Sequence, residues 1–369
     1  MHLILREGDS CGSMNVVDVG IKEKPYKIHV GRRLLTSCGD LVREAFGNSS
    51  RCVMISDSNV APLHGGILKA CLEDSGLEVI GLVVPAGESS KSMTRVAEAC
   101  DVMIAAGLDR SSFVVALGGG VVGDLAGFVA SVFYRGIPYV QVPTTVLAQV
   151  DSSVGGKTGV NAAGGKNLIG AFHHPSLVLA DVETLNTLPE REFNEGMAEV
   201  IKHGIIRDAT LVYDAVALAN SRRKELISRN VAIKADIVCK DPFEKADLRA
   251  LLNFGHTVGH AIEQVGGYGR FLHGEAISMG IAAALHLSSR LAGLSATEVQ
   301  LVRESLASFG LPLTIPADLE ENRLLAAMSH DKKFHQGHIR FVLTKALGSA
   351  FVSDAVREED LREAIAACR

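Results

Sequence analysis

The chain has 369 residues, 47% of them hydrophobic and 21% charged, with a formal net charge of −5. That length suggests two domains or one large one, with enough apolar material for sizeable cores. Mild acidity, 5% aromatic residues and no tryptophan argue against a nucleic-acid-binding role, which calls for cationic grooves and rings that stack on bases.

The opening MHLILREGDSCGSM has a short apolar patch followed by charges, unlike a secretory signal, and Met14 is a second possible start. Tyr26–Val30, Cys52–Asp57, Val79–Pro85, Phe113–Leu117, Ile137–Val142 and Leu177–Ala180 are short apolar runs of strand type. Between them, Val60–Asp74, Lys91–Ala106 and Val121–Val132 repeat apolar residues at helical spacing. Alternating strands and helices predict a mostly parallel, doubly covered α/β sheet. Beyond about residue 186 the strand signal fades. Glu192–Ile206, Leu211–Leu226, Ser228–Val238, Arg249–Val265, Glu275–Leu291 and Ala296–Phe309 all read as helices. The expected division is therefore an α/β domain over 1–186 and a mainly helical domain over 187–369. The basic run Arg222-Arg223-Lys224 reads as a solvated helix face. No apolar stretch approaches the roughly 18 residues of a membrane span, so no membrane partner is expected. Seven scattered cysteines without a C-x-x-C pair predict free thiols in a reducing cytoplasm.

Two motifs in the first half suit anions. Gly118-Gly119-Gly120-Val121-Val122-Gly123-Asp124 joins a buried strand to a helix, where backbone N–H groups and the helix N-terminus favour a phosphate. It contains G-x-G-x-x-G, but no acidic residue follows at the usual distance to hold a ribose; Asp57, at the end of an earlier strand, is the substitute. Gly87-Glu88-x-x-Lys91 follows another strand end, although Glu88 and Lys91 taken alone read as a surface pair. From Gln141 to Asn167 the chain sets Lys157 and Lys166 among glycines, with Asp151 and Asn167 near. Small residues there let an anionic ligand reach two compact cations. Gly155-Gly156-Lys157-Thr158 lacks Walker A spacing, which argues against nucleotide hydrolysis.

The second half carries ligands for a metal. His256 and His260 are four apart and share a helix face, and His273 follows a glycine-rich break that can bring it back towards them. Glu199 lies on an earlier helix with Lys202 and His203 on its face. A carboxylate with two imidazoles and an open position makes a catalytic metal site. Spacing favours His256 with His260, but leaves open which two histidines join Glu199.

The segments Q-V-D-S-S-V-G-G-K-T-G-V-N, G-M-A-E-V-I-K, L-L-N-F-G-H-T-V-G-H-A-I-E and L-H-G-E-A together resemble the 3-dehydroquinate synthase family of sugar-phosphate cyclases. The likeness runs from about Asp57 to the Asp331-Lys332-Lys333 run. It implies a dehydroquinate synthase-like fold, with a Rossmann-like sheet domain before a helical one, and a homodimer. It also implies bound NAD, one divalent metal (zinc or cobalt) and a phosphorylated seven-carbon keto-acid substrate. The metal ligands it implies are Glu199, His256 and His273, leaving His260 as an active-site residue. For NAD it implies Asp57; Gly87, Glu88, Ser89, Ser90 and Lys91; Gly120, Val121, Val122, Gly123 and Asp124; Thr144 and Thr145. Lys157, Lys166, Thr184, Leu185, Asn186 and Thr187 complete that set. The catalytic residues it implies are Asp151, Lys157, Lys202, Arg249, Asn253 and His260. The family's glutamate four residues before the arginine falls on Lys245, with Glu244 one further back as the candidate acid. Substrate contacts fall on Arg135, Asn167, Lys240 and one of Lys332 or Lys333.

The reaction implied is phosphate-eliminating cyclisation of 3-deoxy-D-arabino-heptulosonate 7-phosphate to 3-dehydroquinate. Its stages are oxidation, elimination, reduction, ring opening and aldol closure. A related cyclase making an inosose or a valiolone is one alternative. A metal-dependent NAD(P) alcohol dehydrogenase is another, and a non-catalytic nucleotide-binding module a third.

Overall fold

The structure is a computed structural model that describes residues 6–8, 14–22, 24–47, 49–244, 247–267, 269–329, 334–335 and 338–369. Contacts divide the chain into two compact units. One comprises Met1–Pro189 with Ile227–Cys239, the other Glu190–Leu226 with Lys240–Arg369.

The first unit is built on an eight-stranded sheet. Its strands are β1 (Arg6–Gly8), β2 (Met14–Val19), β3 (Tyr26–Gly31), β4 (Arg51–Asp57), β5 (Glu78–Val84), β6 (Phe113–Gly118), β7 (Tyr139–Pro143) and, after a separate hairpin, β10 (Leu177–Asp181). The hairpin strands are β8 (Lys157–Ala162) and β9 (Gly165–Phe172). The sheet order is β1-β2-β3-β10-β7-β6-β4-β5; β3 through β5 in that order run parallel, and β1 and β2 are antiparallel at one edge. Every residue of β6, β7 and β10 is buried, as expected of central strands covered on both faces.

The chain goes from β4 outward to β5, then returns to the other side of β4 to form β6. The strand order thus reverses between β4 and β6, the point where open α/β sheets gather ligands beyond their carboxyl ends. Asp57 ends β4 and the Gly118-Gly119-Gly120 turn ends β6. The helix Gly120–Val132 packs hard on the sheet at Gly123, where a Cβ would lie 2.7 Å from the Gln141 side chain.

The glycine-rich stretch after β7, read above only as a place where anions reach lysines, forms β8 and β9. Cβ atoms at Gly159 and Gly170 would lie 2.6 and 2.2 Å from carbonyl oxygens of the facing strand. Glycine has little strand propensity, so close backbone approach, and not side-chain pattern, makes this hairpin.

The second unit is mainly helical. The expected helix over 249–265 is in fact a short turn, Arg249–Asn253, and a helix, His256–Gly266, separated by Gly255 at φ 79°. A small sheet of β11 (Phe334–His335), β12 (His338–Thr344) and β13 (Ala350–Val356) precedes the last helix, Glu358–Ala367.

Helix His256–Gly266 lies against helix His273–Ala292 through glycine. A Cβ at Gly280 would sit 2.1 Å from the Gly255 oxygen and 2.7 Å from the Gly259 nitrogen. In the motif G-H-T-V-G-H the glycine before each histidine therefore faces the partner helix. Gly280→Ala is expected to force these helices apart and lower stability by about 1–3 kcal/mol. A denaturant midpoint unchanged from the parent chain would contradict this packing.

Candidate metal and nucleotide sites

In the second unit, Glu199 on helix Glu190–Ile206, His256 at the start of its helix and His273 at the start of the next come together. One ligand atom from each lies within 4.8 Å of the others. Glu199 is fully buried, and its Oε1 faces His256 Nε2 at 3.5 Å and His273 Nε2 at 3.9 Å. That oxygen has no hydrogen-bond partner among the described residues. Its other oxygen accepts from the buried Lys202 ammonium.

The far nitrogen of each imidazole is engaged. His256 Nδ1 lies 3.2 Å from the Phe254 carbonyl oxygen, and a ring there can only donate. His273 Nδ1 lies 3.3 Å from Glu263 Oε2. When both rings are neutral, as metal ligands must be, these tautomers turn an Nε2 lone pair towards the bare Glu199 oxygen, as second-shell partners do around a metal. Three electron pairs directed at one point call for a cation: a metal ion or, without one, the proton that His273 then keeps. Burial and the Lys202 ammonium push His256 well below its usual range. Burial acts the same way on His273, but Glu263, Glu199 and Glu195 outweigh it and raise that ring to about 9.

Gly274 fixes the third candidate ligand, His273. A Cβ there would lie 1.9 Å from the Glu195 oxygen, and its N–H donates to Glu195 Oε2 at 2.9 Å. Helix His273–Ala292 thus starts directly on helix Glu190–Ile206.

His260, the alternative ligand on spacing, is exposed; its ring centroid is 5.2 Å from that of His256 and 5.9 Å from that of His273. Geometry also gathers His260, Glu263 and His273 into a second trio. Arg249 is buried, its Nη1 donating to the Pro242 carbonyl at 2.9 Å, while Asn253 is half-buried. Lys240 is exposed, and Glu244 is exposed at φ 57°. Lys245, Lys332 and Lys333 lie outside the described residues.

The candidate NAD positions of the first unit line the carboxyl ends of its strands. Asp57 Oδ1 accepts the N–H groups of Asn59 and Val60 at 2.8 and 3.0 Å, leaving Oδ2. Gly87, at φ 104°, opens the turn Glu88–Ser90, and Ser90 Oγ donates to the Pro85 carbonyl. Ser89 is exposed. Lys91 is not a surface residue: it is 5% exposed and donates to Asp124 Oδ2 at 2.7 Å and Asn167 Oδ1 at 2.5 Å. The burial of the Asp124 carboxyl raises its pKa, with Lys91 opposing.

Gly120, Val121, Val122 and Gly123 form the first turn of the helix that carries Asp124. Thr144 is buried with its hydroxyl unbonded among the described residues, and Thr145 Oγ1 accepts from the Ala148 amide. Thr184 and Leu185 are buried, while Asn186 and Thr187 are exposed; Thr187 Oγ1 lies 2.8 Å from His64 Nε2. Lys157 is exposed on β8, and Lys166 half-buried on β9. Arg135 is exposed at φ 67°.

Sequence reasoning missed two partners. Lys234 is buried and meets Asp151 at 2.8 Å, 83 residues away in the chain. Glu263 closes on His273. The only available signal for it was its position seven residues after His256, two helical turns along.

A family model described as 3-dehydroquinate synthase N-terminal matches residues 81–195, and one described as 3-dehydroquinate synthase C-terminal matches residues 196–334. The chain is 47% identical over 356 residues to a 3-dehydroquinate synthase of Symbiobacterium thermophilum, covering 94% of this chain and 99% of that one. The chain belongs to the 3-dehydroquinate synthase family.

Solved structures in this wider group of cyclases share its fold. The 2-epi-5-epi-valiolone synthase ValA from Streptomyces hygroscopicus subsp. jinggangensis, solved with NAD+ and Zn2+, is 30% identical. It matches with a TM-score of 0.85 over 95% of this chain and 98% of its own. A 2-deoxy-scyllo-inosose synthase in complex with carbaglucose-6-phosphate, NAD+ and Co2+ is 26% identical. It matches with a TM-score of 0.86 over 96% of this chain and all of its own.

Two outcomes test the metal trio. His256→Ala is expected to lose bound metal, read by elemental analysis of the purified protein; full stoichiometry would remove His256 from the ligands. Glu263→Gln is expected to weaken metal affinity by about 10–100-fold in chelator competition while keeping one site per chain.

Proposed function

We propose that the chain converts 3-deoxy-D-arabino-heptulosonate 7-phosphate into 3-dehydroquinate and phosphate, using NAD and one divalent metal ion, zinc or cobalt. The observation that carries this reading is the convergence of Glu199, His256 and His273 on one point, in a chain that matches relatives of that name almost end to end. The unbonded Glu199 oxygen and the two directed Nε2 atoms fit a metal with an open position. The glycine turn after β6, and Asp57 after β4, fit a dinucleotide.

The metal, when bound, supplies a Lewis acid that polarises a substrate oxygen. NAD, when bound, supplies a hydride acceptor that is restored within one turnover, so no net NADH accumulates. The chain's own residues supply binding, charge and order. Lys202 holds Glu199 by one oxygen and leaves the other for the metal. Glu263 and the Phe254 carbonyl keep His273 and His256 in the tautomers that present Nε2.

Arg135, Lys157 and one of Lys332 or Lys333 are assigned to the substrate phosphate, whose departure needs cations. Arg249, Lys240, Asn167 and Asn253 are assigned to its carboxylate and hydroxyls. Asp151, with Lys234 bound to it, His260 and Glu244 are the groups assigned to proton movement. Asp57, Gly87 to Lys91, Gly120 to Asp124, Thr144, Thr145, Lys166 and Thr184 to Thr187 are assigned to NAD. Ring closure asks only that one conformer be held while charge develops near cations.

The solved cyclases at 30% and 26% identity support a second reading, a cyclase for a sugar phosphate without a carboxylate. Cytoplasmic location is proposed from the unpaired thiols, and a homodimer from the family resemblance.

The deciding assay follows phosphate release and NADH absorbance together, with Zn2+ or Co2+. Phosphate release from the heptulosonate phosphate without net NADH is expected. Release only from hexose or heptose phosphates would favour the second reading, and steady NADH production would favour a dehydrogenase.

A further inference from the structure

Two cysteines of the first unit, neither used by the proposed reaction, lie side by side. Cys38 is fully buried between helices Leu34–Ser37 and Gly39–Phe46; Cys71 is partly exposed on helix Gly66–Asp74. Their sulfurs lie 3.7 Å apart. Close packing builds this contact. A Cβ at Gly39 would meet Ser75 Cβ at 3.1 Å and the Cys71 oxygen at 3.5 Å, so glycine lets the start of one helix rest on the other.

Cys71 also comes under the influence of the Cys38 and Gly39 amides at the N-terminal end of an eight-residue helix. Unsatisfied amides at such an end favour negative charge. The Cys38 thiol bonded to it, together with these amides, lowers Cys71 to about 6 against the opposing effect of burial. The same bond and its own burial push Cys38 far up. The partly exposed Cys71 is the sulfur a small oxidant can reach, and the buried Cys38 lies directly against it, which is how an attacking and a resolving cysteine divide their roles. The other cysteines with a resolved shift, Cys52, Cys100 and Cys368, are all raised by burial.

We propose that Cys71 and Cys38 form a redox-active dithiol, in which Cys71 is oxidised by hydroperoxides and Cys38 resolves the product to a disulfide. The Cys71 thiolate attacks the peroxide; an S–O bond forms, the O–O bond breaks, and the departing oxygen leaves with a proton as water or an alcohol. The sulfenic acid at Cys71 is then attacked by the Cys38 sulfur, which gives up its proton. The S–S bond forms as hydroxide departs and is protonated to water. Two thiols lose two electrons in all and the hydroperoxide gains them. The inference stands apart from the reaction assigned above.

The test uses the full-length, reduced protein. Hydrogen peroxide is expected to produce a peptide pair joined through Cys38 and Cys71, lighter by two hydrogens and restored by dithiothreitol. In Cys38→Ser the joined pair disappears and a dimedone adduct forms on Cys71; in Cys71→Ser Cys38 stays unmodified. If either variant fails to fold, alkylation of the parent chain decides. Iodoacetamide at pH 7 is expected to modify Cys71 about tenfold faster than Cys100. Equal rates at these two cysteines would overturn the proposal. Peroxide treatment that yields Cys71 sulfinic acid, or other cross-links, without the Cys38–Cys71 pair would overturn it too.

Discussion

The second unit depends on how the Glu199 carboxylate is neutralised. Its side chain is wholly removed from water, and a lone carboxylate in such a place costs far more than folding can offset. Lys202 satisfies one oxygen from three residues further along the same helix. The other oxygen has no hydrogen bond among the described residues and faces the Nε2 atoms of two histidines whose Nδ1 atoms are committed elsewhere. Without a metal the His273 ring, raised to about 9, keeps a proton; with both rings neutral this is a set of acceptors facing one another, a repulsive arrangement. Divalent metal binding turns it attractive, which couples the local packing of three helices to the ion. Gly274 and Gly280 serve the same end, because each lets a ligand-bearing helix approach to backbone contact.

The sheet of the first unit was legible because its strands are long apolar runs between helical repeats. Phe113–Leu117 and Leu177–Ala180 fall inside β6 and β10 almost residue for residue. A central parallel strand is buried on both faces, and so its sequence carries the signal without help from neighbours. The β8–β9 hairpin was not legible, since its glycines report the proximity of another backbone and say nothing of strand. The break at Gly255 was hidden for a similar reason. The apolar spacing of 249–265 continues across it, and only the positive φ of Gly255 separates turn from helix.

In the site, residues could be read wherever chemistry and local spacing coincide. His256 and His260 are one helical turn apart, but spacing ranked the exposed His260 above His273, which reaches Glu199 because its helix starts against Glu195 at Gly274. Partners distant in sequence left no trace. Lys91 looked like half of a surface pair with Glu88 until Asp124, 33 residues on, was found to hold it in the interior. Lys234 belongs in sequence to the helical half, yet Ile227–Cys239 packs with the first unit, where that lysine meets Asp151.

Three buried lysines, Lys91, Lys202 and Lys234, each meet a carboxylate: Asp124, Glu199 and Asp151 respectively. Buried ion pairs are a poor way to gain stability, since well-packed apolar residues of equal volume do as well or better. Their value lies in fixed position. A lysine on a free four-carbon stem must lose rotamer freedom before it can bind an anion, whereas one already anchored by a carboxylate has lost it during folding. Each of the three pairs is thus ordered within its own unit before any ligand arrives.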